Sequence, residues 1–229
     1  MTTSQRFQRV TLFEGLTEAQ FAHLEEVGSE VSFARSEDLF RQGDPADALF
    51  VVLRGRVKQV RHAATGASTI LDVLSMGDDL DIASVIEGRV HALSARALSD
   101  GTAWRLPAPA FRRLLAEWPQ LAGNLLRLLA FRQRESTEDL SALAVLNVEG
   151  RLCRALADLC RRYGILGDCR GVILDLALTR QDLADLTGTT LETAIRALNR
   201  LRGQGLLSWE GRRFFVPDIR GLDGVILAA

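Results

Sequence analysis

The sequence predicts an α+β fold in three parts: an N-terminal antiparallel β-roll or barrel, one long helix, and a C-terminal winged helix-turn-helix. Short strand-like runs, each cut by glycine or aspartate, fill residues 15–107. An apolar repeat that could run unbroken as one helix follows over residues 119–146. Residues 178–216, LTRQDLADLTGTTLETAIRALNRLRGQGLLSWEGRRFFV, then read as two helices about a glycine turn and two strands about a Glu-Gly turn. The boundaries that follow are 1–118 for the roll, 119–146 for the long helix and 147–229 for the helix-turn-helix domain.

In chain order, LTEAQFAHLEEVG is an amphipathic helix. SEVSFA, DLF, ALFVVLRGRVKQVRHA, STILDVL and ALSARALSDGTAWRLP are strands, broken at Gly43-Asp44, Gly55, Gly66, Gly77-Asp78 and Asp100-Gly101. A short helix covers residues 110–118. Pro119 suits the first turn of the next helix, where its missing N–H costs nothing. Along that helix Ala122, Leu129, Ser136 and Leu143 recur every seven residues, as do Leu126, Gln133 and Leu140. A helix this long cannot bury both apolar ends in one small domain, so a coiled-coil-like seam with a second copy is expected. A packed internal helix is the alternative. The middle of the seam is polar (Gln133, Ser136, Thr137) and needs partners. Residues 147–163 form another amphipathic helix, ended by Gly164 and Gly167, and PDIRGLDGVILAA is a tail.

Composition narrows the function classes. Hydrophobic residues make up 47% and charged residues 25% of the chain, which suits a globular protein with a real core. No apolar run approaches the roughly 20 residues needed to cross a bilayer, and MTTSQRFQRVTLFEGL lacks the apolar core of a secretion signal. A cytoplasmic location without a membrane partner is therefore expected. Cys153, Cys160 and Cys169 are odd in number and not closely paired, which argues against a disulfide framework. Cys153 and Cys160, seven apart, share a helix face and read as small buried apolar groups, with a redox pair or metal set as the alternative. Net charge is −1, but residues 147–229 carry 12 arginines against 10 acidic residues, while the rest has 16 basic against 19 acidic. That permits a basic C-terminal face. With no Gly-x-Ser-x-Gly, no P-loop and no metal-spaced His/Cys set, an enzyme is not expected.

The second helix of the C-terminal block carries the functional reading. At 3.6 residues per turn, Ala194, Ala197, Leu198 and Leu201 share one face, which packs on Leu183, Ala184 and Leu186 of the first helix. Glu192, Ile195, Asn199, Arg196 and Arg200 share the other face, with Leu191 at the border. An outward Arg can bond guanine O6 and N7, a Glu can accept from cytosine N4, and Ile195 or Leu191 can touch a thymine methyl. Thr187-Gly188-Thr189 supplies the tight turn. Thr190 and Thr193 stand at the helix start, where hydroxyls and the helix dipole favour phosphate. Arg212 and Arg213 lie on the wing, poised for the flanking backbone. Two plainer readings compete: Thr189-x-x-Glu192 fits a capping box, and Glu192 with Arg196 fits a surface i,i+4 pair.

Taken together, the chain resembles the superfamily of the cyclic-AMP receptor protein and the fumarate–nitrate reduction regulator (CRP/FNR) over about residues 12–216. TRQDLADLTGTTLETAIRALNRLRGQGLL is similar to its helix-turn-helix signature, DLFRQGDPADALFVVLRGRVKQV to its cyclic-nucleotide-binding-like β-roll, and ALAVLNVEGRLCRALADLC to the junction behind its dimerisation helix. The resemblance implies a homodimer that bends double-stranded DNA at a palindromic site and regulates transcription initiation with RNA polymerase. It implies that Glu192 and Arg196 read a G·C-containing half-site beside Leu191 and Ile195, and that Thr179, Arg180 and Gln181 lie near phosphates, as does Arg200. The TLETAIR pattern stands nearer the oxygen-regulator branch; the cyclic-AMP branch has Arg where Leu191 stands.

The sensor departs from that family. Its nucleotide cassette uses a Gly-Glu pair for the ribose and an Arg-Ser pair for the phosphate. GDDLDIASVIEGRVHALSARAL offers Asp81-Ile82 at the first position and His91-Ala92 at the second. A phosphate beside Asp78, Asp79 and Asp81 is electrostatically disfavoured unless Arg89 substitutes. Ser136 and Thr137 fall where the cyclic-AMP branch places two hydroxyls toward the base. Gly77, Asp78, Asp81, Ile82, Arg89, His91, Ser136 and Thr137 are thus the candidate effector pocket, with cyclic AMP not expected to fill it. The oxygen regulator's cysteine cluster is missing, and Ala83 stands where the haem-based carbon-monoxide sensor has His. A haem that senses nitric oxide remains an alternative, with His23, His62 and His91 as the histidines present. The functional expectation is a dimeric, sequence-specific regulator with an unassigned effector. The alternatives are a regulator governed by its own abundance, and a helix-turn-helix used for protein contacts.

Overall fold

The computed structural model describes residues 7, 9–167 and 171–228. The chain divides into two compact units, Met1–Arg134 and Glu135–Ala229, with the division inside the long helix.

In the first unit, helix α1 (Glu18–Val27) starts at a capping box in which Thr17 accepts from the Gln20 backbone and Gln20 returns the bond. Eight strands follow: β1 (Ser29–Phe33), β2 (Asp38–Phe40), β3 (Ala48–Arg54), β4 (Val57–His62), β5 (Ser68–Leu74), β6 (Asp79–Leu80), β7 (Ser94–Ala97) and β8 (Gly101–Pro107), with helix α2 (Ile82–Glu87) between β6 and β7. They form two antiparallel sheets, ordered β1-β8-β3-β6 and β2-β7-β4-β5. The expected strands are therefore present. Those missed are β6 and α2, too short to leave a periodic signature.

Strand β3 shows how the sequence positions the roll. It is buried on both faces, and alternate side chains feed two cores. Ala48, Phe50 and Val52 point into the roll with Phe33, Val57 and Leu80. Leu49 and Val51 point the other way, into a layer with Phe7, Trp104, Phe111 and Leu121 under the helices. At the β3–β4 turn Gly55 has φ +91°, and a Cβ there would lie 2.7 Å from the Asp100 carbonyl, so only glycine fits.

Helices α3 (Ala108–Glu117) and α4 (Pro119–Val145) follow, the second matching the predicted long helix. The start of α4 is tied down on one face. Leu121 and Leu125 are buried, and the Asn124 amide donates to the Leu12 and Glu14 carbonyls at 2.9 and 2.7 Å.

In the second unit, helix α5 (Val148–Tyr163) is capped by Asn147. Strands β9 (Ile165–Leu166) and β10 (Val172–Leu174) precede helices α6 (Arg180–Leu186) and α7 (Leu191–Gly203). The wing strands β11 (Ser208–Glu210) and β12 (Arg213–Val216) then complete a sheet ordered β11-β12-β10-β9. The expected tail is instead helix α8 (Ile219–Ala228), anchored by buried Leu222 and by Asp223, 2.6 Å from Arg161. Its two glycines, weak helix formers, hid the helix. Cys153 and Cys160 are buried on the inner face of α5, and burial pushes their thiols up to about 12 and about 11. Burial and raised thiol pKa values both suit the packing role. Cys169 lies outside the described residues. Among the described residues, no helix is long and apolar enough to cross a membrane.

Candidate DNA-binding surface and sensor cassette

Helix α6 begins at Thr179, whose hydroxyl accepts from the Asp182 backbone while Asp182 accepts from the Thr179 N–H at 2.8 Å. The helix ends at Thr187, and Gly188 follows with φ +60°, the left-handed geometry that lets the chain turn at once into α7. Thr187 is buried, its hydroxyl donating to the Leu183 carbonyl at 2.7 Å.

Helix α7 is capped by Thr190, which accepts from the Thr193 backbone. The cap therefore sits one residue later than the Thr189–Glu192 pattern suggested, and Glu192 is not a capping group. Thr189 belongs to the turn, its N–H bonded to the Ala184 carbonyl. No ion pair joins Glu192 to Arg196 among the described residues. Arg196 instead donates to Thr193 Oγ1 at 3.3 Å, and the Thr190 and Thr193 hydroxyls bond each other at 2.9 Å. Ala194, Ala197, Leu198 and Leu201 are fully buried, Glu192 and Arg196 are exposed, Leu191 is 38% exposed, and Ile195 and Thr193 are half-buried. The helix thus presents a polar edge ending in two charged groups free of each other.

The residues expected near the DNA backbone divide. Arg212 is exposed at the wing, at the rim of a shallow cleft with Asp175, Glu210 and Arg213. Arg213 is held by Asp175 at 2.7 Å, and Arg200 by Glu149 at 2.9 Å. Gln181 bonds Asp185 at 2.7 Å. Glu149 and Asp175 are far in sequence from their arginines, so no local pattern announced these pairs.

The cassette in the roll is arranged differently. Asp79 is 3% exposed and receives both terminal nitrogens of Arg132, at 2.7 and 3.0 Å. Burial opposes the Arg132 charge, but Asp79, with Asp72 and Asp78, outweighs it and raises its pKa. Asp81 has φ +52°, an uncommon conformation that a short acidic side chain tolerates by bonding nearby backbone. Its carboxylate accepts from the Ala92 N–H and lies 2.9 Å from His91 Nδ1. His91 is 2% exposed and stacks on Phe40 at 3.6 Å between ring centres. Asp78 accepts from the Ser75 N–H, Gly77 abuts the Arg9 carbonyl, Ile82 is core, and Arg89 points outward beside Glu87. Ser136 and Thr137 are exposed on α4.

The histidines do not fit a haem. His91 has its ring face and one nitrogen occupied, His23 pairs with Glu26 on the surface, and His62 is exposed on a strand end. No group of three or more His, Cys, Asp or Glu able to hold a metal occurs among the described residues.

A cyclic nucleotide-binding domain family matches residues 30–117, and a Crp-like helix-turn-helix domain family matches residues 150–225. The chain belongs to the CRP/FNR family. It is 29% identical over 211 residues to the CRP-like cAMP-activated global transcriptional regulator of Mycobacterium tuberculosis, covering 92% of this chain and 93% of that protein. It is 28% identical to the anaerobic regulatory protein of Pasteurella multocida, over 82% of this chain and 68% of the relative. FixK2 of Bradyrhizobium japonicum superposes with a TM-score of 0.78 at 25% identity, covering 89% of this chain and 99% of FixK2. The c-di-GMP-responsive global regulator CLP of Xanthomonas campestris shares the fold with the same score at 23% identity, over 88% and 100% of the two chains. This CRP/FNR member thus has the family's β-roll and a helix-turn-helix DNA-binding domain, and its relatives are transcriptional regulators.

Proposed function

We propose that this CRP/FNR member is a cytoplasmic, homodimeric, sequence-specific transcription regulator that places one α7 helix per subunit in successive major grooves of a palindromic site. The observation that carries the reading is the division of α7 into a buried Ala/Leu face and an exposed edge bearing Glu192 and Arg196. Leu191 and Ile195 complete that edge, and Arg212 and Arg180 serve the flanking phosphates. The dimer is supported by α4, where Leu126 is 69%, Leu140 68% and Leu143 50% exposed, an apolar stripe that a second α4 would cover. Ala122 and Leu129 are only half-buried and fit the same stripe, although Leu129 also packs on the N-terminal core. Gln133 and Ser136 are its polar middle. RNA polymerase is the expected protein partner.

Control runs through the roll, by an effector whose chemistry is unassigned. A second reading, a regulator governed by its abundance, is favoured by the buried Asp79–Arg132 and Asp81–His91 pairs, which already satisfy the polar groups of the cassette. The same pairs argue against transferring the cAMP activation of the mycobacterial relative. The test is selection of duplexes from a random pool by the purified protein without added small molecules. A palindromic consensus bound by a dimer, with affinity falling steeply as salt rises, supports the reading. Recovery of unenriched sequence, with and without nucleotides, would reject it.

A further inference from the structure

The wing carries an arrangement that the base-reading edge does not use. Trp209 on β11 is half-buried, with Phe214 on one side at 6.3 Å between ring centres. Two guanidinium groups lie over its ring: Arg180, from the first turn of α6, at 5.2 Å, and Arg202, from the last turn of α7, at 4.8 Å. Among the described residues neither arginine has a carboxylate partner, whereas Arg200 and Arg213 are each held by one. Each contact holds a guanidinium over the ring by its charge and leaves N–H groups at its edge open to a further acceptor. A phosphate is the anion whose oxygens suit such donors.

Arg202 also has a telling position on α7. It lies near the helical angle of Leu191 and Ile195, two to three turns along the same stripe, and is exposed. A duplex phosphate beyond the bases read by Leu191 and Ile195 would face it. Trp209 thus brings side chains from the start of one helix and the end of the other onto the wing.

We infer that Arg180, Arg202 and Trp209 form a phosphodiester subsite, in which Trp209 is a positioning residue and Arg202 a direct contact to the DNA backbone. This rests on the DNA-binding reading above. The subsite adds to affinity and to its salt dependence, not to sequence choice.

The test uses the full-length protein and a duplex selected from a random pool by the wild type, with a scrambled duplex as control, titrated between 50 and 200 mM salt. Arg202→Ala, a surface change, should reduce the log–log salt slope by about one, so that its affinity deficit at the low-salt end is roughly fourfold larger than at the high-salt end, equally on both duplexes. Trp209→Ala should give a similar change in slope, and Trp209→Phe, which keeps a ring, should restore most of it. In the double variant the second change should add little, because both act on one contact. An unchanged slope in Arg202→Ala overturns the subsite. Loss confined to the selected duplex overturns it in favour of base reading. Equal defects in Trp209→Ala and Trp209→Phe, or fully multiplicative effects, overturn the positioning role. If the wild type selects no duplex at all, the DNA-binding reading fails and the subsite with it; if it does, the variants judge the subsite alone.

Discussion

The exposed edge of α7 and the buried cassette between β6 and β7 both concentrate polar groups, yet they use them in opposite ways. On α7, Glu192 and Arg196 stand in solvent, unpaired with each other, above a fully buried apolar face. In the cassette, Asp79, Asp81, Ser84 and His91 are buried and bonded within the unit. A polar group left in water keeps its bonds available for a partner. A polar group taken from water must find partners in the fold or cost several kcal/mol. The first region leaves its bonding groups open to a second molecule, and the second completes itself. The apolar stripe of α4 belongs with the first, with Leu126, Leu140 and Leu143 exposed.

The largest expected effect falls on that stripe. Replacing Leu126 and Leu140 together by Asp should abolish the dimer. Each buried leucine is worth about 1.5–3 kcal/mol, and a symmetric seam loses four of them, so on the order of 6 kcal/mol or more disappears. Analytical ultracentrifugation at micromolar concentration should show a dimer for the wild type and a monomer for the variant. A variant that sediments as the wild type does would place the interface elsewhere.

Next comes the cassette. His91→Ala removes the partner of a buried carboxylate and the ring stacked on Phe40, and should cost about 3 kcal/mol of stability. The measurement is the urea midpoint, with the sequence preference for DNA unchanged in the folded protein. A cost under about 1 kcal/mol would show that water or a ligand readily replaces His91, and the contrast between the two regions would dissolve.

How much of this was legible beforehand follows from the range of the interactions. Periodicity is local, so the long α4, the faces of α7 and the main strands of the roll were readable from spacing alone. The competing capping box at Thr189 and the actual cap at Thr190 look alike in sequence, because the two threonines are chemically the same and only the backbone decides which of them leaves the helix. Helix α8 is interrupted by two glycines, weak helix formers, and the short strands β6, β9 and β10 carry too few residues to show a period. The pairs Arg200–Glu149, Arg213–Asp175 and Arg132–Asp79 join residues 38 to 53 positions apart, and no local pattern encodes such a meeting. The departure of the cassette from the nucleotide-binding pattern was visible as Asp81 and His91, but that these two bond each other under Phe40 was not.

The α7 edge can be sharpened base by base. Arg196→Ala should lose about 1–3 kcal/mol at one base position and relax selection there, as measured by binding to a panel of single-substitution operators. A uniform loss over the panel would mean that Arg196 touches the backbone. Arg212→Ala should do the reverse: a loss equal on every operator and a salt slope smaller by about one. If its slope matches the wild type, the wing contributes no phosphate contact at that point.

The smallest effect tests whether the buried pairs of the roll differ in kind from those on its surface. Asp38 on β2 faces Arg96 on β7 directly across the sheet, and Arg96 donates twice to its carboxylate, at 2.6 and 2.9 Å. The hydrogen bonds from Arg96, against some burial and with help from Arg41, hold the Asp38 carboxyl below the usual carboxylate range. A carboxylate lowered in this way stabilises the fold above its unfolded pKa of about 3.9. That contribution is lost as pH falls through the lower, folded value, where protonation removes the charge. Arg96 is 48% exposed, so solvent screening keeps the pair under about 1 kcal/mol. Arg96→Ala should therefore destabilise the protein slightly at pH 7, and the difference from the wild type should shrink as the pH is lowered below 4. Urea midpoints across that range are the measurement. A deficit at pH 7 as large as that of His91→Ala, or one that grows on acidification, would mean that surface and buried pairs in the roll are energetically alike, and the self-completed cassette would lose its special standing.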